Sequence, residues 1–288
     1  LHRKLLYDPP THWVGRGGIT QMALSAVDIA LWDLKAKASG EPLWHLLGGS
    51  AGKSVEAYNT DCGWLNLSNE KLVDGCRCMI EEEGFAAVKM KVGKPDPKED
   101  LERVEAVRCA IGSKPRLMVD ANAKWNLPTA IQFGSRFADF DITWFEEPLW
   151  HDDVRGHAKL AKAIDTPIAL GELLYNRDQF REFVTAEGVH YLQPDASRCG
   201  GITGLWEIAD LGLAHNIPIS PHHGDMMQAQ LHAVIAHSGC DQLEFIPWAL
   251  HCFEEPICVK DGRYRVPEEP GAGTTITPES FEKYGISL

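Results

Sequence analysis

R-L-M-V-D-A-N at residues 116–122 is answered by I-T-W-F-E-E-P at 142–148 and by P-I-A-L-G-E at 167–172. Each stretch opens on a short apolar run of strand length, closes on an acid and leads into a helix-like segment. Asp120, Glu146 and Glu172 stand at an equal spacing of 26 residues. One strand, one helix and two loops take about that many residues. The three carboxylates therefore fall at the same point of three successive β/α units, the C-terminal strand end. In a closed parallel barrel those ends meet at one mouth. Three hard oxygen donors converging there repel one another unless a cation neutralises them. Mg2+ is the natural guest, because it takes carboxylate oxygen and keeps positions open for water or substrate. One acid after one strand would simply cap the next helix, but three in register point to a shared ion.

The same alternation runs outward in both directions. Strands are predicted at 55–59, 86–92, 116–119, 142–145, 167–170, 191–194, 218–220 and 242–245. The helices between them include 69–83, 97–111, 201–216 and 225–237. Eight strands alternating with seven helices argue for a barrel rather than an open sheet. Upstream, 1–18 reads as irregular, with Pro9, Pro10 and a G-R-G-G run, and 20–39 as a helix closed by Gly40. Met22, Leu24, Val27, Leu31 and Leu34 are taken as part of its apolar face. The division expected is 1–50, 51–245 for the barrel, and 246–288 as a Pro/Gly-rich segment packing back irregularly.

Composition narrows the class. The chain has 288 residues, 44% of them hydrophobic and 24% charged, as in ordinary globular proteins. A net charge of −13 repels phosphate backbones and anionic membranes, so neither nucleic acid nor membrane is an expected partner. Eight cysteines without a C-x-x-C pair read as reduced thiols of a cytoplasmic protein. An anionic substrate would need local lysine, arginine or metal to hold it.

The strand A-V-K-M-K-V aims Lys89 and Lys91 to one side, since side chains two apart share a face. Two lysines inside a barrel require the counter-charge of the acids on the next strands. Crowding of one by the other is expected to depress a pKa and yield a base. Asp195 ends the sixth strand and His222 follows the seventh, so a carboxylate can hold an imidazole as a proton carrier. His223 competes for that place, but backbone alternation favours His222. Glu244, at the end of the eighth strand, is a candidate hydrogen-bond donor to a developing oxyanion. Glu147 directly follows Glu146, so it is expected to face the other way and reach a lysine there. The glycines around Cys199-Gly200-Gly201 read as a tight strand-to-helix turn rather than a dinucleotide site.

With these residues in hand, the chain resembles the enolase superfamily, mandelate racemase subgroup. The matching stretches are A-V-D-I-A-L-W-D-L at 26–34, K-M-K at 89–91, V-D-A-N at 119–122, F-E-E-P at 145–148 and G-E at 171–172. They continue with P-D-A-S-R-C-G-G-I-T at 194–203, S-P-H at 220–222 and L-E-F at 243–245. The resemblance implies a modified TIM barrel, (β/α)7β, with Mg2+ held by Asp120, Glu146 and Glu172. It implies that most of an N-terminal capping domain is missing, residues 1–50 being its junction to the barrel. Lys91 carries over as one acid/base, Lys89 as its partner near the substrate carboxylate, and His222 with Asp195 as the opposing dyad. Glu244 carries over as the electrophilic donor; Asn122 and His223 are candidate substrate contacts. The implied reaction removes the proton α to a carboxylate. H-H-G-D-M at 222–226 and I-P-W with F-E-E-P at 246–256 resemble acid-sugar dehydratases. The expected activity is therefore dehydration of an aldonate or aldarate to a 2-keto-3-deoxy acid. A racemase or epimerase of 2-hydroxy acids is the alternative within the mechanism. A silent barrel that binds only metal and carboxylate is the alternative outside it. A homo-oligomer is expected.

Overall fold

The computed structural model describes residues 1–7, 9–223 and 227–285. Its strands are β1 (Val55–Asn59), β2 (Ala87–Lys91), β3 (Arg116–Asp120), β4 (Ile142–Glu146), β5 (Ile168–Leu170), β6 (Tyr191–Leu192) and β7 (Gln242–Phe245). A hairpin of β8 (Val259–Lys260) and β9 (Arg263–Tyr264) follows. β1 to β6 lie side by side in chain order, each pair parallel, and β7 pairs back onto β1 to close the ring. Helices separate consecutive strands, as right-handed parallel crossovers require.

The strand predicted at 218–220 is reduced to a bridge: Ile219 pairs with Leu192 on one side and Cys240 on the other. Pro218 and Pro221 flank Ile219-Ser220, and proline has no N–H to extend a ladder. The segment expected to be irregular after 246 is partly ordered as well. Its hairpin adds antiparallel to the lower part of β1, pairing Val55 with Tyr264 and Glu56 with Arg263. A last helix, Pro278–Tyr284, starts on a Thr277 cap.

Alternation along the strands makes two layers inside the barrel. Tyr58, Ala87, Met118, Trp144 and Ala169 form a buried apolar plug, with Tyr191 against it. Two residues further on, the same strands present Lys89, Asp120, Glu146 and Gln193, all buried. The residues between, among them Val88, Met90, Val119 and Phe145, join the larger core under the helices. Each such fully buried side chain contributes roughly 1.5–3 kcal/mol of hydrophobic stabilisation. That core fixes the register by which the polar layer faces the mouth.

Two N-terminal expectations are corrected. Residues 1–18 include short helices at His2–Tyr7 and Pro9–Val14. The second begins on Pro9, where the missing N–H costs nothing. The helix Gly18–Ser39 also turns the opposite way from its apolar pattern: Met22, Val27, Leu31 and Leu34 are exposed, while Gln21, Ser25, Asp28 and Ile29 are buried. The cause lies in the helix Gly201–Ala214, whose N-cap is Gly200 and has no side-chain cap. Ser25 Oγ accepts from Gly200 N at 2.9 Å, and Asp28 accepts from Thr203 N at 3.0 Å and Thr203 Oγ1 at 2.7 Å. These polar residues satisfy orphan N–H groups across the interface. A Cβ on Gly201 would stand 2.3 Å from Asp28 Oδ1, so the glycine turn is also a close approach. Among the described residues no helix is long and apolar enough to cross a membrane.

Candidate active site

Asp120 and Glu146 are the last residues of β3 and β4, and Glu172 follows β5 by way of Gly171. One carboxylate oxygen from each lies within 4.8 Å of the others. A Mg2+ ion with ligands at about 2.1 Å spaces its oxygens on the order of 3–4 Å apart, so the cluster is of chelating size. Glu146 Oε2 accepts from Trp144 Nε1 at 2.9 Å and Gln193 Nε2 at 2.6 Å. Glu172 Oε2 is buried with no hydrogen bond. Three hard oxygen donors, one of them without a hydrogen bond, fit Mg2+. Burial pushes the Asp120 carboxyl up, but Lys91 and Lys89 outweigh it and bring it down to about 2. At Glu146 burial wins over Lys89 and lifts the carboxyl to about 8.

Lys89 and Lys91 share one face of β2, as their spacing predicts. Lys89 Nζ is wholly buried, 2.5 Å from Glu146 Oε1 and 2.8 Å from Glu244 Oε1. Lys91 Nζ sits 2.5 Å from Asp120 Oδ2. The expected depression of a lysine pKa does not occur. Burial disfavours the Lys91 ammonium, but Asp120, Glu172 and Glu146 together overcome burial and the repulsion of Lys89, and the pKa rises. Lys89 is likewise held well above its ordinary value, because Glu146 and Glu244 outweigh burial.

His222 approaches from the other side of the cluster. Its Nδ1 is 2.8 Å from Asp195 Oδ2, and its Nε2 is 3.2 Å from Glu172 Oε2. Burial opposes the imidazolium, and Glu172, Asp195 and Glu244 overcome it, lifting the pKa to about 10. Asp195 is itself fixed by Ser197, whose N and Oγ donate to Oδ1 at 2.8 and 2.6 Å.

Glu244 is an acceptor here, not the donor expected. It takes hydrogen bonds from Thr60 Oγ1 at 2.5 Å and His223 N at 3.0 Å. Burial would raise its carboxyl, but Lys89 and His222 hold it well below the usual range. Glu147 is also corrected. It reaches no lysine among the described residues; it is buried beside the cluster, and neither carboxylate oxygen has a hydrogen bond. Burial lifts its pKa well above the ordinary value, with Glu172 the strongest charged neighbour. The residue adopts φ 40°, so the chain turns after Glu146 and strand alternation no longer applies. Asn122 has an exposed side chain, and its backbone N–H donates to Asp120 Oδ1 at 2.8 Å. His223 is buried, and its pKa is lowered chiefly by that burial.

Polar residues of the site that were not singled out from the sequence include Trp144, Gln193 and Gln230, besides Thr60 and Ser197. Trp144 and Gln193 stand two residues before Glu146 and Asp195, so the same-face rule could have found them. Gln230, which donates to the carbonyls of His222 and His223 at 2.9 and 2.7 Å, lies on the following helix and gives no such signal.

A ring of β/α units with its charges gathered at the C-terminal mouth, over an apolar plug, is the build of a metal-assisted barrel enzyme. The family described as enolase C-terminal domain-like matches residues 71–280, and the mandelate racemase/muconate lactonizing enzyme N-terminal domain matches residues 3–48. The chain belongs to the enolase superfamily, in its mandelate racemase subgroup. L-talarate/galactarate dehydratase of Salmonella typhimurium is 38% identical over 280 residues, covering 97% of this chain and 69% of that protein. 3,6-Anhydro-alpha-L-galactonate cycloisomerase of Streptomyces coelicolor is 36% identical over 283 residues, covering 95% and 74%. The crystal structure of L-talarate dehydratase from a Polaromonas species, complexed with Mg and L-glucarate, superposes with a TM-score of 0.89 at 38% identity, covering 98% and 74%. These relatives are sugar-acid dehydratases and a cycloisomerase, the Polaromonas structure holds Mg with L-glucarate, and Mg2+ is the cofactor that suits the cluster here.

Proposed function

We propose that this chain dehydrates a sugar acid, an aldonate or aldarate, to a 2-keto-3-deoxy acid. The observation that carries the reading is the approach of two proton carriers to one carboxylate cluster from different sides: Lys91 through Asp120, and His222 through Glu172. Dehydration needs both, one to take a proton from the α-carbon and one to give a proton to the departing β-hydroxyl.

Asp120, Glu146 and Glu172 would hold Mg2+, which would supply positive charge where the substrate carboxylate gains negative charge. Lys89, buried beneath the cluster, adds a fixed cation on the same side. Lys91 is the base once Asp120 no longer holds it as an ammonium: it gives up its own proton to solvent and, as the neutral amine, takes the α-proton. The electron pair left on the α-carbon forms the new double bond as the C–O bond to the β-hydroxyl breaks. His222 delivers the proton that lets that oxygen leave as water, and the enol product tautomerises to the keto acid. Asp195 holds the imidazole by Nδ1, so that Nε2 is the working atom. Glu244 ties Lys89 to the His222 side as a shared counter-charge. Asn122 and His223 serve here through their backbone N–H groups, which orient Asp120 and Glu244.

The test is incubation with Mg2+ and a panel of aldonates and aldarates, with assay for 2-keto acid. Keto acid formation that is lost in Lys91→Ala and His222→Gln supports the reading. α-Hydrogen exchange in D2O without keto acid would move the activity to racemisation or epimerisation. Neither outcome with any acid would end it.

A further inference from the structure

Trp64, on the loop after β1, and Trp248, on the loop after β7, stack at the rim of the barrel. Their ring centroids are 4.7 Å apart and their planes are inclined by 29°. Both indole N–H groups donate to one oxygen, Asp61 Oδ1, at 3.2 and 2.8 Å. The segment beneath is seated hard on β2: a Cβ on Gly63 would stand 2.1 Å from the Lys89 carbonyl oxygen. Arg103 adds a second fastening, donating to the carbonyls of Leu67 and Trp64 at 2.9 and 3.3 Å. The clamp is therefore rigid, and it adjoins the chemistry. Lys91 Nζ lies 5.5 Å from the Trp64 ring centroid, within cation–π range, while holding Asp120 at 2.5 Å.

Two indoles that only stapled loops together would bury their faces. Trp248 keeps 59% of its surface exposed, and its one polar atom is already engaged. What it offers is aromatic surface, which favours contact with C–H groups. Asp61 Oδ2, which takes part in neither indole bond, is an acceptor beside that surface. A chain of CHOH units presents both kinds of partner, carbon-bound hydrogens and hydroxyl donors.

We propose that the Trp64–Trp248 pair, fastened by Asp61, is the wall that receives the hydroxylated carbon chain of the substrate beyond its reacting carbons. It thereby selects for chain length. This rests on the reading of Lys91 as the base, because the wall is positioned relative to that amine. Selection by such a wall appears as a difference between long and short acids, not as a loss common to both.

The experiment compares the natural protein, Trp248→Ala and Trp248→Phe, all with Mg2+, on the six-carbon galactarate and the three-carbon glycerate. KM and kcat are measured for turnover or α-hydrogen exchange, and binding is read by titration calorimetry, which needs no chemistry. Trp248→Ala is expected to weaken galactarate about tenfold more than glycerate, with Trp248→Phe restoring part of the difference. Equal losses for the two acids, or no loss, overturn the wall. Trp248→Phe carries the comparison alone should the alanine variant fail to fold. Galactarate binding that depends on Trp248, without exchange or keto acid, would leave the wall standing and remove the dehydratase reading. Binding of neither acid by the natural protein would remove both.

Discussion

His222 Nδ1 lies 2.8 Å from Asp195 Oδ2, and that carboxylate is wholly buried and anchored by Ser197. The imidazole is thereby fixed with Nε2 toward the carboxylate cluster. Asp195→Asn should lower keto acid formation by about 10²–10⁴-fold. Because the two residues act as a unit, adding His222→Gln should cost little more. Steady-state kinetics on the single and double variants check this; losses that multiply would contradict it.

Glu172 offers a buried oxygen with no hydrogen bond, faced by His222 Nε2 at 3.2 Å, so a divalent ion there breaks no hydrogen bond and competes only with the imidazole for that charge. Mg2+ at about 100 times its Kd is expected to stabilise the fold by about 2.7 kcal/mol. Melting in EDTA and in graded Mg2+ gives the shift, which Glu172→Gln should reduce. A melting temperature indifferent to Mg2+ would count against the cluster as a metal centre.

Glu147 predicts a pH effect. Burial lifts its folded pKa well above the ordinary range, so the folded protein keeps a proton that the unfolded chain releases above about 4.3. Its contribution is complete below that pH and is lost as pH rises toward the folded value. Glu147→Gln cannot ionise and should stabilise the metal-free protein by about 1–3 kcal/mol at pH 8. Urea unfolding in EDTA at pH 5 and pH 8 tests it; parallel pH slopes for parent and variant would refute it.

His232 works in the opposite direction. Its Nδ1 accepts from Trp44 N at 3.0 Å, and burial lowers its pKa to about 3. Below about 6.5 the unfolded chain takes a proton that the folded protein refuses, so stability drops by about 1.4 kcal/mol per unit as pH falls toward 3. His232→Asn should flatten that slope relative to the parent. Guanidinium unfolding at pH 7, 6 and 5 makes the comparison, and identical slopes would dismiss the effect.

Much of the site could be read before any coordinates because it depends on a period of two. Asp120, Glu146, Lys89 and Lys91 inherit their direction from the strands that carry them, and the strands announce themselves by apolar runs. What escaped depends on partners remote in sequence. The inverted helix Gly18–Ser39 follows from orphan N–H groups at Gly200 and Thr203, which no local pattern of apolar residues encodes. Glu147 escaped because a single left-handed residue ends the alternation. The acceptor role of Glu244 depends on Thr60 and His223, which come from two other staves. The reduction of 218–220 to a bridge, by contrast, was written in Pro218 and Pro221.

The pairing of β1 with β7 also bears on how the protein is made. Residues 55–59 emerge from the ribosome well before their neighbours 242–245. Until then the first strand keeps a bare hydrogen-bonding edge, a template for stray chains as well as for the correct one. Ring closure thus waits for about 180 further residues to be made, and the growing polypeptide has to be shielded over that interval.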